Sequence, residues 1–224
     1  EAVASNVELA ARAELLVLCH KPAQLDAVAE EIGEGSAPVA SILAVTPLAA
    51  LRKAYRGRPV YRFIPSLPVE VRQGAVVQAA GPGKPDGDGA GGSDPELDAK
   101  VAELFAELGT LVVLDDALVD VAMGLMSCAP AYVALVAEAQ VDAGVRRGIP
   151  AAQGSQLVVQ TLAGTAELLR RRDYDTMAVR REVSSPGGLT ARGVDALERA
   201  GLRRAFSDAL DAVLEPSPTT GTRR

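Results

Sequence analysis

Apolar residues in the first third of the chain alternate between two spacings. From Asn6 to Ala13 they recur at helical intervals, and then Leu15, Leu16, Val17, Leu18 and Cys19 crowd into one run that Lys21 and Pro22 end. A short continuous apolar run bounded in this way is the pattern of a buried parallel strand. QLDAVAEEIG returns to helical spacing with Gly33 as its stop, SAPVASILAV reads as a second buried strand, PLAALRKAY as a helix and PVYRFIP as a third short strand. Strands that alternate with helices predict a parallel α/β sheet with right-handed crossovers.

The pattern changes after Val77. Residues 79–96, AAGPGKPDGDGAGGSDPE, are rich in Gly, Pro and Asp and hold too little apolar surface to pack, so they read as a flexible loop. Beyond them nearly everything has helical spacing. DAKVAELFAELG ends at Gly109, a short LVVL strand follows, and DDALVDVAMGLM opens with two acids that suit a helix N-terminus. The segment Pro130 to Gly148 starts with proline at an N1 position and carries small or apolar residues on almost every face. A helix of that kind needs burial all round, and a partner subunit is expected to provide part of it. The closing PSPTTGTRR is a polar tail.

Composition narrows the function classes. The 224 residues, 48% hydrophobic, suffice for one large domain or two modest ones. A net charge of −6 leaves no overall basic surface, which argues against nucleic acid as a partner. Cys19 and Cys128 are too few for a disulfide framework and lack the spacing of a zinc or redox pair, so no metal is expected and a reducing cytoplasm fits. No apolar run approaches the length of a membrane span, and the acidic start lacks a cationic leader, so a soluble, unexported protein with no membrane partner is expected. The chain opens on Glu1, and its first segment reads as the middle of a domain.

One stretch points to chemistry. Ser184, Ser185, Pro186, Gly187 and Gly188 stand directly before a segment of helical pattern, with Thr190 at its start. Two glycines let the backbone turn and bring its N–H groups close to a ligand, and N–H groups gathered at a helix N-terminus bind anions.

LCHKP (Leu18 to Pro22), IPSLPV (Ile64 to Val69), CAPAYV (Cys128 to Val133), EAQVDAGVRRGIP (Glu138 to Pro150) and VSSPGGLT (Val183 to Thr190) occur in that order along nearly the whole chain. In these motifs the sequence resembles the pyrroline-5-carboxylate reductases. The resemblance implies an α/β Rossmann-type N-terminal domain, with its first strand and glycine-rich turn missing, followed by an all-α dimerisation domain. The corresponding division is a partial dinucleotide-binding domain over 1–78, the loop 79–96, a helical substrate-binding and dimerisation domain over 97–215 and a disordered tail over 216–224. It implies reduction of the C=N bond of a cyclic imino acid, 1-pyrroline-5-carboxylate, to proline with NADPH or NADH, in a homodimer or larger ring built through the helical domain. It also implies a site. The amides of Ser185, Gly187, Gly188 and Leu189 would receive the substrate carboxylate, Thr190 would approach the ring nitrogen as the catalytic residue, and Asp116 would stand near the substrate. Asn6, Lys21, Pro22 and Leu43 would line the cofactor.

The sequence departs from the family pattern at four places. The GxGxxG turn is expected upstream of Asn6, before the sequence starts. The SGSGP loop is replaced by Met126, Ser127, Cys128, Ala129 and Pro130, and the asparagine of the MPNTP turn by Ser66. Glu182 adds a carboxylate just before the SSPGG loop, where it would repel a phosphate-bearing cofactor unless it faces solvent. A non-catalytic or reassigned family member, serving assembly or reducing another cyclic imine, therefore stands beside the reductase reading. Asp115 and Asp116 are equally well explained as helix N-terminal charges, His20 as a surface residue and Cys128 as packing.

Overall fold

The computed structural model describes residues 2–81 and 94–215. Most of the expected flexible loop 79–96 and all of the expected tail 216–224 lie outside the described residues. The chain forms two compact units, Glu1–Pro130 and Ala131–Arg224.

The first unit is a five-stranded sheet with helices on both faces. Its elements in chain order are α1 (Asn6–Arg12), β1 (Leu16–Leu18), α2 (Leu25–Ile32), β2 (Val39–Ser41), α3 (Leu48–Ala54), β3 (Val60–Pro65), β4 (Gly74–Ala79), α4 (Pro95–Ala106), β5 (Gly109–Leu114) and α5 (Asp116–Met126). Ser5 caps α1 by accepting from the Glu8 N–H, and Gly33 ends α2 at φ +67, as the sequence pattern predicts. The spatial order is β1-β2-β3-β4-β5. β1, β2 and β3 are parallel, as expected, but β4 runs antiparallel to β3 and β5 parallel to β4. The sheet is thus mixed rather than wholly parallel. The reversal is made by a 3₁₀ turn over Leu67–Val71 that Arg72 closes at φ 55. β4 and β5 begin in close contact, because a Cβ on Gly109, at φ +144, would lie 2.0 Å from the Gly74 carbonyl oxygen.

Alternation along β3 divides the core between the two faces. Val60 and Ile64 join Leu18, Val39, Leu51, Val77 and Val119 on one side, while Tyr61 and Phe63 join Val76, Val101 and Phe105 on the other. Phe63 stacks on Phe105 of α4 with ring centroids 3.8 Å apart. Each such side chain, fully buried, contributes roughly 1.5–3 kcal/mol. The Tyr61 hydroxyl donates to Asp98 at 2.8 Å, and burial with that acceptor raises its pKa.

The second unit is helical, with α6 (Ala129–Val145) leading into α7 (Ala151–Arg170), α8 (Thr176–Val183), α9 (Leu189–Arg199) and α10 (Leu202–Leu214). α6 and α7 approach closely at Gly154, where a Cβ would meet Val141 Cγ1 at 3.5 Å. No residue of α6, α8, α9 or α10 is buried within the chain. Leu135, Leu157, Val159 and Phe206 are exposed, and Tyr132, Leu135, Leu202 and Phe206 line an apolar groove of about 220 Å³.

Among the described residues one stretch, Asp116–Val145, is long and apolar enough by length and composition to cross a membrane. This corrects the expectation that no apolar run approaches such a length. Asp120, Glu138 and Asp142 interrupt the stretch when it is read residue by residue, yet an 18-residue window within it has a mean hydropathy of 1.7.

Candidate active site

Because β1, β2 and β3 are parallel, their carboxyl ends share one edge of the first unit. Open α/β sheets bind ligands beyond such an edge. Three loops leave it: Cys19–Pro22 after β1, Ile42–Pro47 after β2 and Ser66–Pro68 after β3. Lys21 and Pro22 open a short 3₁₀ turn in which the Lys21 N–H donates to Gln24 Oε1 at 3.1 Å. Asn6, the first residue of α1, donates its side-chain N–H to Glu31 Oε2 at 2.8 Å. Asn6, Cys19 and His20 line one cavity of about 240 Å³. His20 is half-buried rather than a surface residue: Nδ1 lies 3.0 Å from the Lys21 carbonyl oxygen, and Nε2 is buried with no protein partner. Leu43 is buried in the core, with its N–H on Ser41 Oγ at 3.2 Å, so only its main chain is available to a ligand.

Ser66, in place of the family's asparagine, is buried and joins β3 to β4. Its Oγ accepts from the Ala75 N–H at 2.9 Å, and its own N–H donates to the Ala75 carbonyl at 3.0 Å. Ser127 donates to the Pro65 carbonyl at 3.2 Å, which ties the junction between α5 and the following helix to the end of β3.

Asp116 opens α5 with both carboxylate oxygens engaged. Oδ1 accepts from Arg62 at 2.8 Å and Oδ2 from the Leu48 N–H at 3.0 Å, so it joins β3, α3 and α5. The Arg62 side chain is fully buried and also donates to Asp120 at 2.5 Å. Sequence reading missed Arg62 and Asp120. The signal was an arginine inside the apolar strand PVYRFIP, since a buried guanidinium requires carboxylate partners, and Asp116 and Asp120 share a helix face at i and i+4.

In the second unit α8 ends at Val183 and the Ser184–Gly188 loop leads into α9. The Gly188 N–H donates to the Ser185 carbonyl at 3.0 Å, closing a turn that holds Gly187 at φ +69. A Cβ on Gly188 would lie 2.4 Å from Ser185 Oγ, so a side chain there would have to push the Ser185 side chain aside. Gly188 is the N-cap of α9, no side chain caps the helix, and its first turn carries no acid. The N–H groups of Leu189 and Thr190 thus open a helix whose positive end is unneutralised, with Leu189 80% exposed. Ser185, Gly187, Gly188, Leu189 and Thr190 lie together in this loop and first turn.

Glu182 faces Arg172 at the end of α7, taking hydrogen bonds of 2.7 Å from Nε and 3.3 Å from Nη2. Those bonds hold its carboxyl below the ordinary carboxylate range. The added carboxylate before the loop is therefore matched by a cation from the same unit. Among the described residues no group of three or more His, Cys, Asp or Glu is placed to hold a metal ion.

A sequence model described as pyrroline-5-carboxylate reductase dimerisation matches residues 116–219. The pyrroline-5-carboxylate reductase of Synechocystis is 34% identical over 220 residues, covering 97% of this chain and 79% of the relative. That of Thermus thermophilus is 34% identical over 207 residues, 89% of this chain and 73% of the relative. The crystal structure of Plasmodium falciparum pyrroline carboxylate reductase with NADP bound is similar at a TM-score of 0.81 and 25% identity, covering 94% of this chain and 78% of that one. The Streptococcus pyogenes 1-pyrroline-5-carboxylate reductase gives 0.80 at 28% identity, covering 93% and 77%. The chain belongs to the pyrroline-5-carboxylate reductase family.

Proposed function

We propose that this chain reduces the C=N bond of 1-pyrroline-5-carboxylate to L-proline, with NADPH or NADH as reductant, as a cytoplasmic homodimer or higher ring. The observation that carries the reading is the uncapped start of α9 behind Gly187 and Gly188. The substrate's fixed charge is a carboxylate, and this feature presents main-chain donors to an anion without a competing side chain. The relatives' names, and the NADP bound in one similar structure, supply the reaction and the cofactor class.

Roles follow the two parts of the chain. Residues 1–78 of the sheet unit serve the cofactor, with Asn6, Lys21, Pro22 and the Leu43 main chain along it, and the helical unit after Pro130 provides the dimer contact and, through the loop before α9, holds substrate. His20 Nε2, buried without a protein partner beside this edge, is the kind of polar group that a bound dinucleotide would satisfy. When bound, the cofactor supplies the hydride that adds to the imine carbon.

The protein's own residues do the positioning. The amides of Ser185, Gly187, Gly188 and Leu189 hold the carboxylate and fix the ring. The Thr190 hydroxyl oxygen accepts from the protonated ring nitrogen, which keeps the imine in its electrophilic form until the nitrogen becomes the neutral amine of proline. Asp116 serves the substrate through a carboxylate already fixed by Arg62 and the Leu48 N–H. The exposed apolar faces of α6, α7 and α10 are covered by the second subunit, which gives the α6 part of the apolar Asp116–Val145 stretch a protein surface to pack against.

Two substrates test the reading. The full-length protein should turn over 1-pyrroline-5-carboxylate with a kcat/KM at least about 100-fold above that for 1-pyrroline, which lacks the carboxylate. Equal kcat/KM values would remove the anion loop from the mechanism.

A further inference from the structure

Val45 has a backbone conformation that its side chain disfavours. It lies at φ 53, in the left-handed region, where Cβ crowds the following carbonyl oxygen and β-branched residues are genuine outliers. The other non-glycine residues at positive φ among the described residues, Arg72, Asp173 and Tyr174, are not β-branched. A glycine at position 45 would take the same conformation without strain.

The loop around Val45 is fixed from both sides. Leu43 is buried with its N–H on Ser41 Oγ, Thr46 is buried with its hydroxyl donating to the Ala44 carbonyl at 3.0 Å, and the Leu48 N–H is held by Asp116 at 3.0 Å. These contacts impose the left-handed turn and do not involve the valine side chain. That side chain is 66% exposed and belongs to neither core cluster, so no packing within the unit offsets the strain. Residues held in sparsely populated backbone regions gather where ligands are clamped. Val45 follows the carboxyl end of β2, on the edge it shares with the Cys19–Pro22 loop after β1.

We infer that Val45 is a cofactor-binding residue whose isopropyl group makes an apolar contact with the bound dinucleotide. The inference rests on the reading that the chain binds NADPH or NADH. Its strained backbone aims a branched apolar group outward at a point where a strain-free glycine would offer none. The contact is worth roughly fivefold in affinity, on the scale of about 25 cal/mol per Å² of apolar surface covered.

The test is direct titration of the full-length protein with NADPH and with NADH, followed by nicotinamide fluorescence, for wild type, Val45→Gly and Val45→Asn. Both replacements tolerate the left-handed conformation, and both remove the branched apolar group. Expected are thermal midpoints at or above wild type without cofactor, together with a dinucleotide Kd raised roughly fivefold in both variants. Unchanged Kd values in both variants, with a wild type that binds, would overturn the Val45 contact alone. A wild type that binds neither dinucleotide would overturn the cofactor reading and this inference with it.

Discussion

Arg62 on β3 and Asp116 at the start of α5 stand 54 residues apart in sequence and 2.8 Å apart in space. The guanidinium is fully buried, whereas the Asp116 and Asp120 side chains keep 27% and 37% exposure. The two ends of the network therefore differ in what their removal costs. Asp116→Ala leaves a buried cation with one carboxylate and frees the Leu48 N–H, and is expected to cost about 2–3 kcal/mol. Arg62→Met leaves carboxylates that water can reach and fills the space with apolar atoms, so it should cost less. Urea unfolding of both variants checks the order, and Asp116→Asn, close to isosteric, should raise the substrate KM if the carboxylate also touches substrate.

Gly187 and Gly188 separate a conformational requirement from a spatial one. Gly187 is held at φ +69, so Gly187→Ala should lower stability by about 1–2 kcal/mol. Gly188 has an ordinary φ but little room, since a Cβ would lie 2.4 Å from Ser185 Oγ. Gly188→Val should lower the thermal midpoint slightly, because Ser185 must shift to admit the side chain, and reduce kcat/KM for the substrate by at least about 10-fold.

Thr190→Ala should reduce kcat/KM by roughly 10-fold through loss of one hydrogen bond to the ring nitrogen. Thr190→Ser keeps the hydroxyl and should retain most activity. Equal activity of all three proteins in fully active preparations would remove Thr190 from the site.

The helical unit carries its charges on the surface. Hydrogen bonds from Arg172 hold Glu182 below its ordinary pKa of 4.5, and those from Arg203 do the same for Glu198. Carboxyls lowered in the folded state contribute fully above the unfolded value and lose that contribution as pH falls through the folded one. The thermal midpoint should therefore be level from neutrality to about pH 5 and decline below it, less steeply in a Glu182→Gln, Glu198→Gln double variant. Both groups are solvent-exposed, so added salt should shrink the difference between the variant and wild type.

How much of this was legible in the sequence depended on distance along the chain. β1, β2 and β3 were each visible as local apolar runs, and the Ser185–Thr190 loop as paired glycines before a helical pattern. β4 was not: Val76, Val77 and Ala79 run straight into the Gly/Pro-rich segment, and a strand defined by pairing with β3 and β5 has no local marker. Asp116 was readable as an acid at a helix start, but its partner lies too far away in sequence for spacing to suggest it. Val45 gave no signal at all, because a left-handed valine is imposed by the contacts of Leu43, Thr46 and Leu48 rather than by its own preference.

The central claim is tested most directly by product analysis. The full-length protein, incubated with 1-pyrroline-5-carboxylate and NADPH or NADH, should form L-proline in step with oxidation of the dinucleotide, and Gly188→Val should form it at least about 10-fold more slowly when substrate is limiting. Proline formation that is absent from an intact, correctly assembled wild type, or indifferent to Gly188→Val, would contradict the account and favour a member of the family that assembles without this chemistry.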